Sequence, residues 1–164
     1  MRRKDASARI QRIKGEYSGK GLRFGIVVSD FNEYLTRQLC DGAVDTLLRH
    51  GAAPKSVRIA HVPGAFEIPL AAAKLIRSFK PHAVVTLAVV MRGKTRHFDQ
   101  VVDQTAKGVR ELAMKTGVPV ILGMVSAEKV EDAIARVGVK HMNKGREWAL
   151  SALEMANLSR KLDA

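Results

Sequence analysis

The chain predicts one α/β domain in which helices cover both faces of a parallel, four-stranded sheet. Four short segments are apolar throughout, without the alternation of a half-exposed strand, which is typical of strands buried on both faces. Each is followed by a segment whose apolar residues recur at helical spacing. The 164 residues, 46% of them hydrophobic, suffice for a single substantial core.

The first strand–helix unit begins after the turn at 19–21. Leu22–Ser29 is the predicted strand, and a helix is predicted from Glu33 to the stop signal at Gly51. Phe31 lies in the loop between them. A loop aromatic is most often ordinary packing, but this one is also placed to stack on a planar ring.

The second unit pairs the predicted strand Val57–Val62 with a helix through residues 70–76. Pro63 and Gly64 make a sharp turn between them, so that Phe66 and Glu67 lie where the helix begins. The Glu67 carboxylate either complements the helix dipole or binds ligand hydroxyls, and position alone favours neither.

The third unit organises the rest of the chain. Its strand, Val84–Val90, is predicted to be central, and its helix is predicted from Asp99 onward. The loop at 91–97 gathers three cations, a hydroxyl and an imidazole around Gly93. Ligands of open α/β sheets bind beyond the carboxyl ends of the strands, and helix N-termini favour anions. This loop is therefore interpreted as a site for phosphate binding and proton transfer.

The fourth unit completes the sheet. Gly117 ends the preceding helix, Val118–Val125 is the predicted strand, and Ser126 is the predicted N-cap of a short helix that stops at Gly138. A final helix follows residues 143–145.

Composition narrows the class of protein. No uncharged apolar run approaches the ~18 residues of a membrane span, and the N-terminus lacks the apolar stretch of a secretory signal, which indicates a cytoplasmic protein with no membrane partner. The lone cysteine, Cys40, falls in a helical apolar pattern and is expected to be a buried structural residue. The histidines show no metal-ligand spacing, so no metal site is expected.

The formal charge of +12 is concentrated near the N-terminus, where residues 1–25 hold eight cations and two carboxylates. Residues 1–14 are interpreted as a basic, flexible arm, or an edge extension, and residues 15–164 as the domain. Because no basic-aromatic interleaving or nucleic-acid motif accompanies the charge, nucleic-acid binding is not expected as the function.

Five motifs together resemble the 6,7-dimethyl-8-ribityllumazine synthase family. They run in family order and at family spacing from about residue 15 to about residue 162, and although each alone is weak, the set is specific. The motifs are Asp30-Phe31-Asn32, Val62 to Pro69, Arg92 to Asp99, Arg136-Val137-Gly138, and Asn143-Lys144-Gly145 with Ala152 to Leu158.

The resemblance implies a flavodoxin-like three-layer sandwich and a cofactor-independent transferase. Such enzymes condense 5-amino-6-(D-ribitylamino)uracil with 3,4-dihydroxy-2-butanone 4-phosphate, and release phosphate and water, in the penultimate step of riboflavin synthesis. Each step moves a proton, and by resemblance His97 is the general acid and base.

The resemblance also assigns the binding residues. It assigns phosphate binding to Lys94, Thr95 and Arg136, and a guanidinium suits this role because it can bind phosphate through two parallel hydrogen bonds. The resemblance also implies that the arginine reaches in from a neighbouring subunit. Phe31 stacks on the pyrimidine, and Asn32 and Lys144 are supporting residues. The remaining pocket residues are Ala65, Phe66, Glu67, Val89, Val90, Met91 and Leu122.

Two departures and two rival functions accompany this assignment. Leu122 replaces a common phenylalanine over the substrate ring, and Met142 replaces a common glycine before Asn143. The rivals are a paralogue that binds a flavin or lumazine without turnover, and a protein whose role is to form a shell. By resemblance the chain forms a pentamer, and the short connection at 138–142 also permits a sixty-subunit icosahedral assembly.

Overall fold

All four strands of the sheet run parallel, in the order β2-β1-β3-β4. The computed structural model describes residues 10–93, 97–138 and 142–164. Its strands are β1 (Phe24–Ser29), β2 (Val57–Val62), β3 (Ala83–Met91) and β4 (Val120–Ala127). Its α-helices are α1 (Glu33–Arg49), α2 (Ile68–Phe79), α3 (His97–Thr116), α4 (Val130–Val137) and α5 (Lys144–Leu162). The predicted α/β class and four-stranded parallel sheet are confirmed.

The central strand β3 is buried along both faces. Val85, Leu87 and Val89 pack against the cluster formed with α1, α4 and α5. Val84 and Ala88 pack on the opposite face, in the cluster that includes residues of α2 and α3. The uninterrupted apolar run of this strand is thus explained by helices on both sides of the sheet.

Strand boundaries differ from the sequence prediction by one or two residues: β3 is one residue longer at each end, and β4 begins two residues later than Val118. Pairing partners set the start of β1 and the end of β4. β1 begins at Phe24, the first residue paired with both neighbouring strands, although Leu22 before it is also buried. β4 runs two residues further than predicted, since Ser126 and Ala127 pair with Val90 and Met91 of the long β3. The prediction of Ser126 as an N-cap is therefore wrong: α4 follows Lys129, which makes no side-chain capping bond.

The N-terminal segment packs along α5 from Lys14 onward, where the Lys14 carbonyl accepts from the Lys161 ammonium at 3.0 Å. The Asn157 amide donates to the carbonyls of Glu16 and Ser18, at 3.0 and 2.8 Å. The Lys161 ammonium pairs with the Glu16 carboxylate at 2.7 Å, and this pairing lowers the pKa of Glu16. Residues 1–9 of the proposed arm lie outside the described ranges, so the boundary at residue 15 stays a prediction.

The start of α5 is fixed by its contacts with α1. The Asn143 side chain accepts from the Arg146 backbone N–H at 3.3 Å as an N-cap and donates to the Gln38 carbonyl at 2.8 Å. Gly145 is buried, and a Cβ there would collide with the Leu39 backbone. The last helix can approach α1 closely only because this position lacks a side chain.

The strand order places a topological switch between β1 and β3. The chain passes from β1 outward to β2, then returns to the other side of β1 for β3 and β4. Ligands of doubly wound sheets bind in the crevice beyond the carboxyl ends of the two strands at such a switch point. The fold therefore directs attention to residues 29–32 and 89–97.

Candidate functional site

A cavity of about 540 Å³ lies at this switch point. The volume is within the range of roughly 300–1,000 Å³ that small-molecule sites occupy. Its lining comes from the ends of β1 and β3, the turn after β2 and the start of α3: Ser29, Phe31, Gly64, Ala65, Phe66, Glu67, Val89, Val90, Met91, Gly93, His97, Phe98 and Val101.

Eight of the residues named from the sequence meet in this cavity. Five of them are apolar or small residues of the turn after β2 and of β3, and the others are Phe31, Glu67 and His97. Phe31 and Phe66 are 67% and 60% exposed, which is unusual for aromatic side chains in a folded chain. Their exposure at a cavity favours the ring-stacking interpretation of Phe31 over ordinary packing.

Asn32 is not part of the cavity lining, but it holds together two segments that are. Its backbone is left-handed, with φ 61° and ψ 42°, a conformation that asparagine tolerates better than most side chains. Its amide nitrogen donates to the Val89 carbonyl at 2.8 Å, and its own carbonyl accepts from the N–H groups of Leu35 and Thr36. Asn32 therefore ties the turn that carries Phe31 to the end of β3 and starts α1.

The turn after β2 presents Glu67 to the cavity. Residues 65–67 form a single 3₁₀ turn, and Glu67 is the N-cap position of α2, where its side chain makes no capping bond. The exposed carboxylate lies beside the helix N-terminus and in the cavity wall at once. Its position is therefore consistent with both interpretations made from the sequence: the carboxylate can complement the helix dipole, and it can contact a ligand.

His97 is the first residue of α3, two positions before the predicted start of that helix. The side chain is exposed and lines the cavity. This helix of 20 residues begins at the cavity, since residues of its first turns line it, and the start of a helix carries partial positive charge. The predicted phosphate ligands Lys94 and Thr95 precede it and lie outside the described residues.

Three predicted residues lie apart from the cavity lining in the single chain. Arg136 is exposed on α4, where its guanidinium donates to the Asp132 carbonyl at 2.9 Å. Leu122 is 38% exposed on the edge strand β4 and pairs in register with Thr86, four residues before Val90. Lys144 begins α5 and pairs with Glu147 at 2.6 Å.

The sequence analysis did not single out three side chains of the lining, Ser29, Phe98 and Val101. Ser29 ends β1, where it is buried and its hydroxyl accepts from the Phe31 N–H at 3.2 Å. Phe98 directly follows His97, and Val101 lies one helical turn further on. The signals available were the aromatic residue beside the imidazole and the i, i+4 spacing of His97 and Val101.

Cys40 and His82, two other side chains that could take part in chemistry, lie outside the cavity lining. Burial, with a smaller effect from Asp41, raises the pKa of the Cys40 thiol to about 11, so the thiol stays protonated and inert, as expected. His82 lies at the opposite edge of the sheet, before β3. No group of three potential metal ligands occurs among the described residues, and none of the helices in those ranges combines the length and apolarity needed to cross a membrane.

The fold is of the doubly wound α/β class, and the cavity at its switch point brings together an imidazole and two exposed aromatic rings. The sequence model of the family described as 6,7-dimethyl-8-ribityllumazine synthase matches residues 21–160. Because that match covers most of the 164 residues, the chain belongs to the 6,7-dimethyl-8-ribityllumazine synthase family.

Proposed function

We propose that this protein condenses 5-amino-6-(D-ribitylamino)uracil with 3,4-dihydroxy-2-butanone 4-phosphate to give 6,7-dimethyl-8-ribityllumazine, phosphate and water. The observation that carries the proposal is the convergence, in one cavity of a family member, of His97 with Phe31, Phe66 and Glu67. The reaction needs no cofactor, and the protein acts as a cytoplasmic transferase.

The cavity residues suit the binding of the pyrimidine. The exposed faces of Phe31 and Phe66 offer stacking surfaces to a planar heteroaromatic ring. Val89, Val90 and Met91 form an apolar wall at the end of β3. Glu67 accepts hydrogen bonds from the ribityl hydroxyls or ring N–H groups, which an ionised carboxylate does strongly.

His97 moves the protons. The amine of the pyrimidine attacks the ketone, and the resulting carbinolamine loses water to form an imine. Phosphate then leaves by elimination, and the enol that results tautomerises to a ketone. The second amine closes the ring on this carbonyl with loss of a second water. The two ring nitrogens of an imidazole can accept and donate a proton, so His97 accepts the proton from the attacking amine and later donates one to the departing hydroxyl.

The phosphate is held at the start of α3. The positive end of this helix faces the cavity, as favours an anion. Lys94 and Thr95 contribute from the preceding residues, and Arg136 contributes from a neighbouring subunit. Exposure of Arg136 on α4, away from the cavity of its own chain, supports this division. We extend the same argument to Leu122 on the edge strand.

Turnover distinguishes this function from non-catalytic binding of a flavin or lumazine. The purified protein is mixed with both substrates, and the absorbance of the lumazine product and the phosphate released are followed together. The proposal expects equal amounts of both, at a rate above that of the uncatalysed condensation. Tight binding of the lumazine with no acceleration would instead assign the protein to the binding class.

A further inference from the structure

Arg92, immediately after β3, connects three segments around the cavity. Its backbone N–H donates to the Ala127 carbonyl at 2.9 Å and so extends the pairing of β3 with β4 by one residue. Its guanidinium donates to both carboxylate oxygens of Asp99, at 2.9 and 3.4 Å. The same group lies 3.3 Å from a carboxylate oxygen of Glu128, in the turn between β4 and α4.

The contact with Asp99 fixes the first turn of α3. Arg92 and Asp99 lie on either side of the residues 93–98, so their pairing joins the two ends of that segment. Two parallel N–H bonds from a planar guanidinium set both distance and orientation, which a single point contact does not. His97 is two residues before Asp99 in the same helical turn.

A second contact acts on the cavity wall. The Arg92 guanidinium carbon lies 4.4 Å from the centre of the Phe98 ring, a cation–π distance. Phe98 lines the cavity next to His97. One arginine side chain therefore restrains the two residues that follow His97, Phe98 through its ring and Asp99 through its carboxylate.

The charge of Arg92 is already compensated. Two carboxylates face its guanidinium, whereas the one hydrogen bond that Arg136 makes within the described residues goes to a backbone carbonyl. A guanidinium with its donors directed at protein carboxylates is poorly available for a substrate phosphate. The geometry therefore favours a role in orientation over a role in binding.

We propose that Arg92 is a positioning residue that orients His97, acting through Asp99 and Phe98. The catalytic consequence rests on the proposed function, because it requires His97 to be the acid and base. A small displacement of a catalytic group lowers the rate substantially, and roughly a 1 Å misplacement can cost on the order of 10²-fold. Since the Arg92 side chain is 40% exposed, we expect a smaller loss, of about tenfold.

A double-mutant cycle tests the pair. R92Q and D99N are each expected to lower kcat about tenfold with little change in KM, and the double variant to be no worse than either one, because both remove the same interaction. K107Q is the matched control: it removes another exposed ion pair of α3, Lys107 with Glu111 at 3.9 Å, and leaves kcat unchanged. A folded R92Q with full kcat overturns the proposal, as do losses that add in the double variant.

The H97A background separates positioning from a general structural effect. If Arg92 acts through His97, R92Q lowers the residual rate of H97A by less than twofold. A tenfold loss in that background would show that Arg92 acts independently of the imidazole and would contradict the inference.

A spectroscopic measurement tests the inference without turnover. Histidine ring carbons are labelled with ¹³C, and the His97 signal is assigned by its loss in H97A. R92Q and D99N are expected to shift this signal in the same direction, and K107Q to leave it in place. An unshifted His97 signal in R92Q overturns the inference. A shifted signal in a protein that forms no lumazine would contradict the proposed function alone.

Discussion

The chemical role of His97 depends on the residues that surround it in the cavity. The residue begins a long helix and lines a cavity whose wall includes apolar residues of the central strand. Without those neighbours, an exposed histidine at a helix start has no chemical significance. With them, it lies within one cavity together with two exposed aromatic rings and a carboxylate.

Replacement of His97 by alanine should slow turnover while the fold is kept, because the side chain is exposed and contributes little to the core. The expected loss in kcat is at most on the order of 10²–10⁴, the range attributed to one general acid or base, and less if the uncatalysed condensation is fast. Steady-state kinetics from pH 5 to 9 check this. An unchanged kcat across neutral pH would remove His97 from the mechanism.

Much of the cavity could be predicted at the level of residues, because motif order places residues 31, 65–67, 89–91 and 97 at the carboxyl ends of parallel strands. Phe98 and Val101 were missed: the i, i+4 spacing of His97 and Val101 puts them on one side of α3, but only the coordinates show that this side faces the cavity. The role of Asn32 required coordinates as well: a left-handed backbone and a bond across the switch point to Val89 leave no local pattern in the sequence.

Strands and helices were predictable wherever their own residues decide them. Helix α1 begins at Glu33 as expected, and Gly51, with φ 93°, follows its end as a stop signal. The ends of β1 and β4 were not, because they depend on the partner strand. The Ser126 pattern resembles a helix start, but the length of β3 extends β4 through that residue.

At the amino-terminal ends of the strands, a contact between Arg23 and His82 depends on the protonation state of the His82 ring. The Arg23 backbone N–H donates to the ring Nδ1 of His82 at 2.9 Å, and the His82 backbone N–H donates to the Arg23 carbonyl at 2.7 Å. These bonds join the starts of β1 and β3. Burial, together with the charges of Arg23 and Arg160, lowers the pKa of His82.

This lowered pKa predicts a loss of stability in mild acid. As pH falls below ~6.5, the unfolded chain takes up the proton before the folded one, so the contribution of His82 is complete above that pH and declines toward its folded pKa. H82N keeps an acceptor but cannot be protonated, and its thermal midpoint should fall less between pH 7 and pH 5 than that of the parent protein.

H50N is the control, because Nδ1 of His50 lies 2.8 Å from the Thr46 carbonyl in the preceding helical turn, and this contact does not join two strands. Midpoints are compared at one protein concentration, since assembly shifts them. Equal pH dependence in H82N and the parent protein would show that His82 does not limit stability in acid.

At the scale of the whole molecule, the single chain holds an incomplete site under the proposed function. The cavity has its acid–base group, while Arg136 and Leu122 lie elsewhere on the surface. By resemblance, Met142 stands where the family commonly has glycine. Among the described residues, Met142 is not one of those with a positive φ. The Met142 side chain therefore meets no left-handed strain at its own position.

The assembly is expected to be a pentamer at minimum and to form the sixty-subunit shell more readily as salt increases. The basic N-terminal residues bring like charges together, and their repulsion is screened over about 10 Å at 0.1 M salt. Light scattering or mass photometry at low and high salt checks this. A monomer at micromolar concentration would contradict the shared site, and a pentamer at every salt concentration would reject only the shell.

Complementation between two impaired variants tests the central claim, a catalytic cavity shared by neighbouring subunits, most directly. H97A lacks the proton-transfer group and R136A lacks the phosphate contact, so each assembly alone turns over slowly. When the two chains are co-assembled in equal amounts in a ring, about a quarter of the cavities receive His97 from one chain and Arg136 from its neighbour. We predict lumazine formation at about a quarter of the parent rate. A mixed assembly that is no faster than the two variants alone would contradict the account.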